Sequence, residues 1–154
     1  MIRAAVMLGV GCVLLSAQEP VRIFTSAQAE TGRLLYARTC SQCHIASLLG
    51  RKADGGELPP ISSLTKTYQD FIGPRRWVPP LTGDSFLERY GQWTAAELIE
   101  RFQETVDDRT LNFADMGGDA TVNLTAYILQ VNGAKAGSEK LTRSTGALVR
   151  AATR

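Results

Sequence analysis

The feature that most constrains this chain is Cys40-Ser41-Gln42-Cys43-His44, which gathers two of the three cysteines and the single histidine of 154 residues into one short run. Several chemistries compete for such a run. A closed zinc site takes about four N, S or O ligands, so a carboxylate would have to complete an unusual set. A thioredoxin-like thiol pair expects a βαβ setting, which the hydrophobic pattern does not offer. A structural disulfide leaves the adjacent histidine unexplained. The remaining chemistry is covalent attachment of a haem, for which C-x-x-C-H is the pattern. Two thiols at that spacing at the end of a helix reach the two vinyl groups of one porphyrin, and the next residue brings its imidazole under the iron.

The N-terminus agrees with export. Arg3 precedes an apolar run from Ala4 to Leu15, closed by Ser16 and Ala17, which is the order of a signal peptide over 1–17. The run is shorter than the roughly 20 residues that span a bilayer, so membrane association is expected only if the segment is retained or is lipidated at Cys12. Its removal leaves Cys40 and Cys43, and the expected location is the periplasm or another exported compartment. Lys and Arg number 17 against 15 Asp and Glu, a net charge of +2 that gives no reason to expect nucleic acid as a partner. The charge is unevenly spread. Residues 18–134 carry a net −3, whereas 135–154 carry 5 basic and 1 acidic side chains. Rich in Ala, Gly, Ser and Thr, that last stretch reads as a flexible basic tail, with docking on an acidic partner or a membrane surface as the sharper alternative.

Helix signals dominate between these ends, so the expected fold class is all-α. A first helix is predicted over 26–39, capped by Thr25 or Ser26, with Gly32 pointing to close packing against another element. A short helix is expected from Asp84 to Tyr90. Thr94-Ala-Ala-Glu97 is a capping box opening a helix to about Thr105. After a turn at Asp107-Asp108, Asp119 is placed to cap a last helix to Gln130, which Asn132-Gly133 stops. Residues 45–82, punctuated by Gly50, Gly55-Gly56, Pro59-Pro60, Gly73-Pro74 and Pro79-Pro80, are expected to be a long irregular loop that wraps a ligand. No strand pattern competes.

With these pieces in place, the chain resembles the class I c-type cytochrome family, single-haem bacterial cytochromes, over about 26–137. The likeness is carried by GRLLYARTCSQCH at 32–44, PPLTG at 79–83, the helix from Thr94, and LTAYILQVNG at 124–133. It implies a cytochrome c fold of about four helices around one haem c, bound through Cys40 and Cys43 and ligated by His44. It also implies that Gly32 on the first helix meets Tyr127 on the last, that the Pro79 carbonyl accepts a hydrogen bond from His44 Nδ1, and that Leu81 packs on the porphyrin. Pro59-Pro60-Ile61 is the alternative to the Pro79 segment. The domain is then 18–134, with 45–78 a long loop or insertion relative to the family. Arg75, Arg76 and Trp77 are candidates for the haem propionates or else solvated, and Tyr90 and Trp93 for the pocket or else plain core.

The sixth iron ligand departs from the family pattern. Met116 is the only methionine left after signal removal, and it lies near the start of the last helix, while the usual position, just after the preceding helix, holds Val106. With Met116 as a ligand, the chain is expected to be an electron carrier rather than an enzyme, between a periplasmic dehydrogenase and a respiratory acceptor such as a terminal oxidase, or a subunit of a dehydrogenase complex. Without it, the alternative is a five-coordinate haem protein that binds or senses small ligands or has peroxidase-type activity.

Overall fold

Thr25 starts the first helix by a reciprocal cap. Its hydroxyl accepts from the Gln28 amide at 3.3 Å, and the Gln28 side chain accepts from the Thr25 amide at 3.2 Å. In this computed structural model the described residues are 20–53, 56–108, 111, 116 and 118–153. The signal segment 1–17 with Cys12, the Arg75 side chain and Arg154 lie outside them. The described residues fold as an all-α domain with one minimal sheet. α1 spans Ser26–Arg38, α2 Ser41–His44, α3 Lys66–Ile72, α4 Asp84–Tyr90, α5 Ala95–Val106, α6 Ala120–Val131 and α7 Val149–Ala152.

The main helix contact is between α1 and α6, with α5 packed on α6. Its tightest point is Gly32. A Cβ there would lie 1.9 Å from the Asn123 carbonyl oxygen and 2.9 Å from the Tyr127 Cβ, distances that only a hydrogen at that position permits. One turn on, the rings of Tyr36 and Tyr127 meet at 5.4 Å. The expected Gly32–Tyr127 contact is therefore present. Around it, Phe24, Phe86, Leu98, Ile99, Ile128 and Leu129 form the fully buried centre of the core.

Three expectations need correction. The 45–82 stretch is not irregular throughout. Between Pro60 and Gly73 no Gly or Pro interrupts the chain, which leaves room for α3 and a turn of 3-10 helix at Ile61–Ser63. Strands also occur: β1, Arg51–Lys52, pairs antiparallel with β2, Trp77–Val78. This ladder is a neck that closes residues 53–76 into a side excursion. Asp119, in turn, occupies the N-cap position of α6 but makes no side-chain cap bond, because its backbone (φ −103, ψ 9) is not in the extended conformation that turns a cap side chain back on the helix.

The tail is the third correction, because residues 135–153 pack across the domain instead of trailing into solvent. Leu141 and Val149 are buried, 2% and 0% exposed. The Gln28 side chain holds Leu141 at both backbone groups, donating to its carbonyl at 2.9 Å and accepting from its amide at 3.0 Å. Ala147 and Thr145 carbonyls accept from the free first amides of α5, at 2.9 and 3.0 Å from Ala95 and Ala96. The small-residue composition concealed a few apolar anchors, and their docking sites belong to distant segments.

Gly32→Leu should lower the unfolding free energy by at least about 1–3 kcal/mol in denaturant titration, because its side chain has to displace backbone. Leu141→Ala should lower it by about 2–3 kcal/mol through the cavity it leaves; an unchanged midpoint would mean that the tail contributes nothing.

Candidate functional site

α1 ends at Arg38, and the Thr39 hydroxyl closes it by donating to the Leu35 carbonyl at 2.8 Å. The chain then re-enters a single helical turn, in which the Cys43 and His44 amides both donate to the Cys40 carbonyl, at 3.2 and 2.8 Å. Helical spacing of this kind puts positions i, i+3 and i+4 on one face. Cys40, Cys43 and His44 accordingly line the same cavity, of about 440 Å³, within the usual size of a cofactor pocket.

Both thiols are free and partly buried. Burial raises each of them above the ordinary cysteine value; the Thr39 hydroxyl opposes this at Cys40, and Arg51 opposes it at Cys43. A redox-active C-x-x-C needs the reverse, a thiol pushed down towards the thiolate. Among the described residues no three His, Cys, Asp or Glu side chains are grouped as metal ligands, so the closed donor set of a structural zinc is also missing.

His44 is held by a different device. Its Nδ1 lies 2.9 Å from the Pro79 carbonyl. Since a carbonyl can only accept, Nδ1 carries the proton, which leaves Nε2 with a free lone pair and no protein partner among the described residues. Burial depresses the imidazole to about 4, against the Pro79 hydrogen bond, which acts in the opposite direction, so the ring is neutral at pH 7. A neutral imidazole with a fixed tautomer is the form that ligates a metal.

The backbone after His44 creates this contact. Ile45 and Leu48 adopt positive φ, 55° and 63°, and Tyr36 pins the first of these turns by donating its hydroxyl to the Ile45 carbonyl at 2.6 Å. Gly50 then passes so close to the 78–79 backbone that a Cβ would sit 2.1 Å from the Val78 carbonyl oxygen. The Leu81 amide donates to the Leu48 carbonyl at 2.7 Å, and the Asn132 side chain donates to the Leu81 carbonyl at 2.9 Å. Pro79 is thus fastened from both sides. In the alternative segment, Pro59-Pro60-Ile61, the Pro60 carbonyl accepts from Ser63 and Arg51 instead. Arg51 also donates to the Gln42 carbonyl at 3.0 Å, which ties the excursion to the cysteine turn.

The cavity walls are largely apolar. Leu81, buried at 6% exposure, lines them beside Leu124, Ile128 and Phe102. Met116, partly buried, lines the same cavity as His44, and so does Val106. No protein-family model, curated protein or solved structure matches this chain. The site therefore has to be judged on its own chemistry.

Trp77 lines the cavity and Arg76 is exposed without lining it; of the Arg75 side chain nothing is described. Tyr90 lines the cavity, whereas Trp93 stands edge-on to it, ring centres 5.0 Å apart, and packs partly buried against the core. The sequence missed Arg89 and Arg101, two cations in the wall. Arg89 lies 4.9 Å over the Trp77 ring, and Arg101 pairs with Glu104 at 2.6 Å. No local pattern marks either, because the wall exists only once α4, α5 and β2 come together. Among the described residues no helix is long and apolar enough to cross a membrane.

For the protein free of any ligand, the depressed value of His44 gives a definite pH dependence. Between 6.5 and about 4 the unfolded chain binds the proton that the folded chain refuses. The stability is fully present above pH 6.5 and is lost as the pH falls towards 4, by up to about 3 kcal/mol. His44 is the only histidine, so its imidazole resonances can be followed directly by NMR; a midpoint near 6.5 would show that burial does not act on the ring as described.

Proposed function

We propose that the chain is an exported c-type cytochrome of class I, carrying one covalent haem and moving single electrons between a periplasmic dehydrogenase and a respiratory acceptor. The observation that carries this reading is the neutral His44 ring, fixed through Nδ1 to Pro79, on the same cavity wall as the two protonated thiols of Cys40 and Cys43. The residues present fit the group. Cys40 and Cys43 would hold it by thioethers, His44 Nε2 would ligate its iron, and Leu81, Leu124 and Ile128 would pack on it. The haem supplies the one-electron couple of its iron when bound. The protein's part is to orient and exclude. The Pro79 hydrogen bond sets the imidazole's plane and raises its basicity, and the apolar wall keeps water from the site. The α1–α6 crossing at Gly32 and the helix order support the cytochrome c fold.

Met116 is the candidate for the sixth position, since its thioether borders the cavity that His44 borders. Thioether ligation raises the reduction potential, which suits accepting electrons from a dehydrogenase. Val106 supports a second reading, because it lines the cavity from the end of α5 with no atom that binds iron. On that reading the iron is open on one side and takes small ligands.

Expression with export and haem maturation should give a protein that stains for peroxidase activity after denaturing electrophoresis, and Cys40→Ala or Cys43→Ala should weaken attachment. Loss of all haem on denaturation of the wild type would remove the proposal. Met116→Ala should abolish the weak near-infrared charge-transfer band of the oxidised protein. A wild type that is high-spin and binds carbon monoxide readily when reduced would instead favour the second reading.

A further inference from the structure

The tail reaches one place that packing alone does not require. Arg143, on the last leg of the chain, turns its Nη2 onto three acceptors: the Gly118 carbonyl at 2.8 Å, Gln103 Oε1 at 2.9 Å and Thr121 Oγ1 at 3.3 Å. These acceptors lie outside the cavity lining but beside residues that belong to it. Gln103 is on α5, one residue from Phe102 of the cavity lining, Thr121 is in the first turn of α6, and Gly118 lies two residues beyond Met116. Two residues limit the Met116–Gly118 separation to roughly 7 Å.

Two of these acceptors are also joined to each other, and through one of them to the end of α5. Thr121 Oγ1 donates to Gln103 Oε1 at 2.9 Å, and Gln103 Nε2 donates to Asp107 Oδ1 at 2.7 Å, at the C-cap of α5. One connected network therefore grips the chain where it leaves α5 and where it enters α6. Asp119 supplies no side-chain cap at that entry. A charged donor to a backbone carbonyl is a strong hydrogen bond with a defined direction, and Arg can hold several acceptors at once.

We propose that Arg143 is a positioning residue that ties the end of α5 to Gly118 and the start of α6, and so holds Met116, two residues before Gly118, beside the cavity. The latch makes the position of Met116 in the cavity lining depend on the docked tail. Its bearing on the iron rests on the haem reading above, whereas its bearing on the backbone does not.

The test uses the full chain, with and without haem, as wild type, Arg143→Ala and Arg143→Lys. In Arg143→Ala, amide hydrogen exchange at 116–121 and 103–108 should rise on the order of tenfold while exchange in α1 stays at the wild-type level. In the haem-loaded protein the same variant should lose intensity in the near-infrared thioether band and bind carbon monoxide faster, with covalent haem retained. Arg143→Lys, which keeps a donor to the Gly118 carbonyl, should restore part of both signals. A tail that acted only as general support would raise exchange in α1 and at the α5 N-terminus equally. That result, or unchanged exchange at 116–121, overturns the latch whatever the state of the iron. A wild type without covalent haem overturns the cytochrome reading and leaves the exchange result to decide the latch.

Discussion

Everything in this domain hangs on the closeness of α1 to α6. With no side chain at Gly32, the Asn123 carbonyl rests against the backbone of α1, and the two helices meet at a distance that no other residue allows. That approach fixes where α1 ends. The cysteine turn follows directly from the end of α1, so the thiols and His44 inherit their position from the crossing. The C-terminal end of α6 carries the consequence further, because Asn132 takes the Gly83 amide on its carbonyl oxygen at 3.0 Å and gives its amide to Leu81. The wall that holds His44 and Leu81 and the helix crossing are parts of one frame.

How legible this was depends on the range of the interaction involved. α1, α4, α5 and α6 begin and end within a residue or two of where the sequence placed them, because caps such as Thr25 with Gln28 and Thr94 with Glu97 are local chemistry. The His44–Pro79 hydrogen bond was legible only through the family resemblance, since nothing in 45–78 signals a partner so far along the chain. The β1–β2 neck was hidden for a related reason. Two-residue strands carry no alternation to read, and Gly50 declares its role only when Val78 is beside it. The tail misled because solubility and docking are decided by different residues: Ala, Ser, Thr and the basic side chains set its composition, and Leu141 and Val149 set its fate.

Electrostatics divides the cavity by function. Burial keeps His44 neutral and the thiols protonated, so the cysteine turn presents one lone pair and two uncharged sulfurs to a largely apolar space. Arg89 and Arg101 are charged residues of the same lining, each engaged by a neighbour, the Trp77 ring or Glu104.

The neck has a consequence for how such a chain can change over time. Because β1 and β2 pair at its base, the 53–76 excursion leaves and returns at nearly one point, and the segments that hold His44 and Pro79 meet as if the intervening residues were absent. The closure entropy of a loop grows only slowly with its length, by about 0.6 kcal/mol for each doubling. Length in the excursion therefore costs little closure entropy, and what constrains its sequence is instead its contacts: Pro60 and Ser63 on Arg51, and Phe71 and Ile72 in the cavity lining. Added or removed length between Lys52 and Trp77 is then held off the His44–Pro79 pairing by the neck, as long as the excursion residues that meet Arg51 and the cavity keep their places.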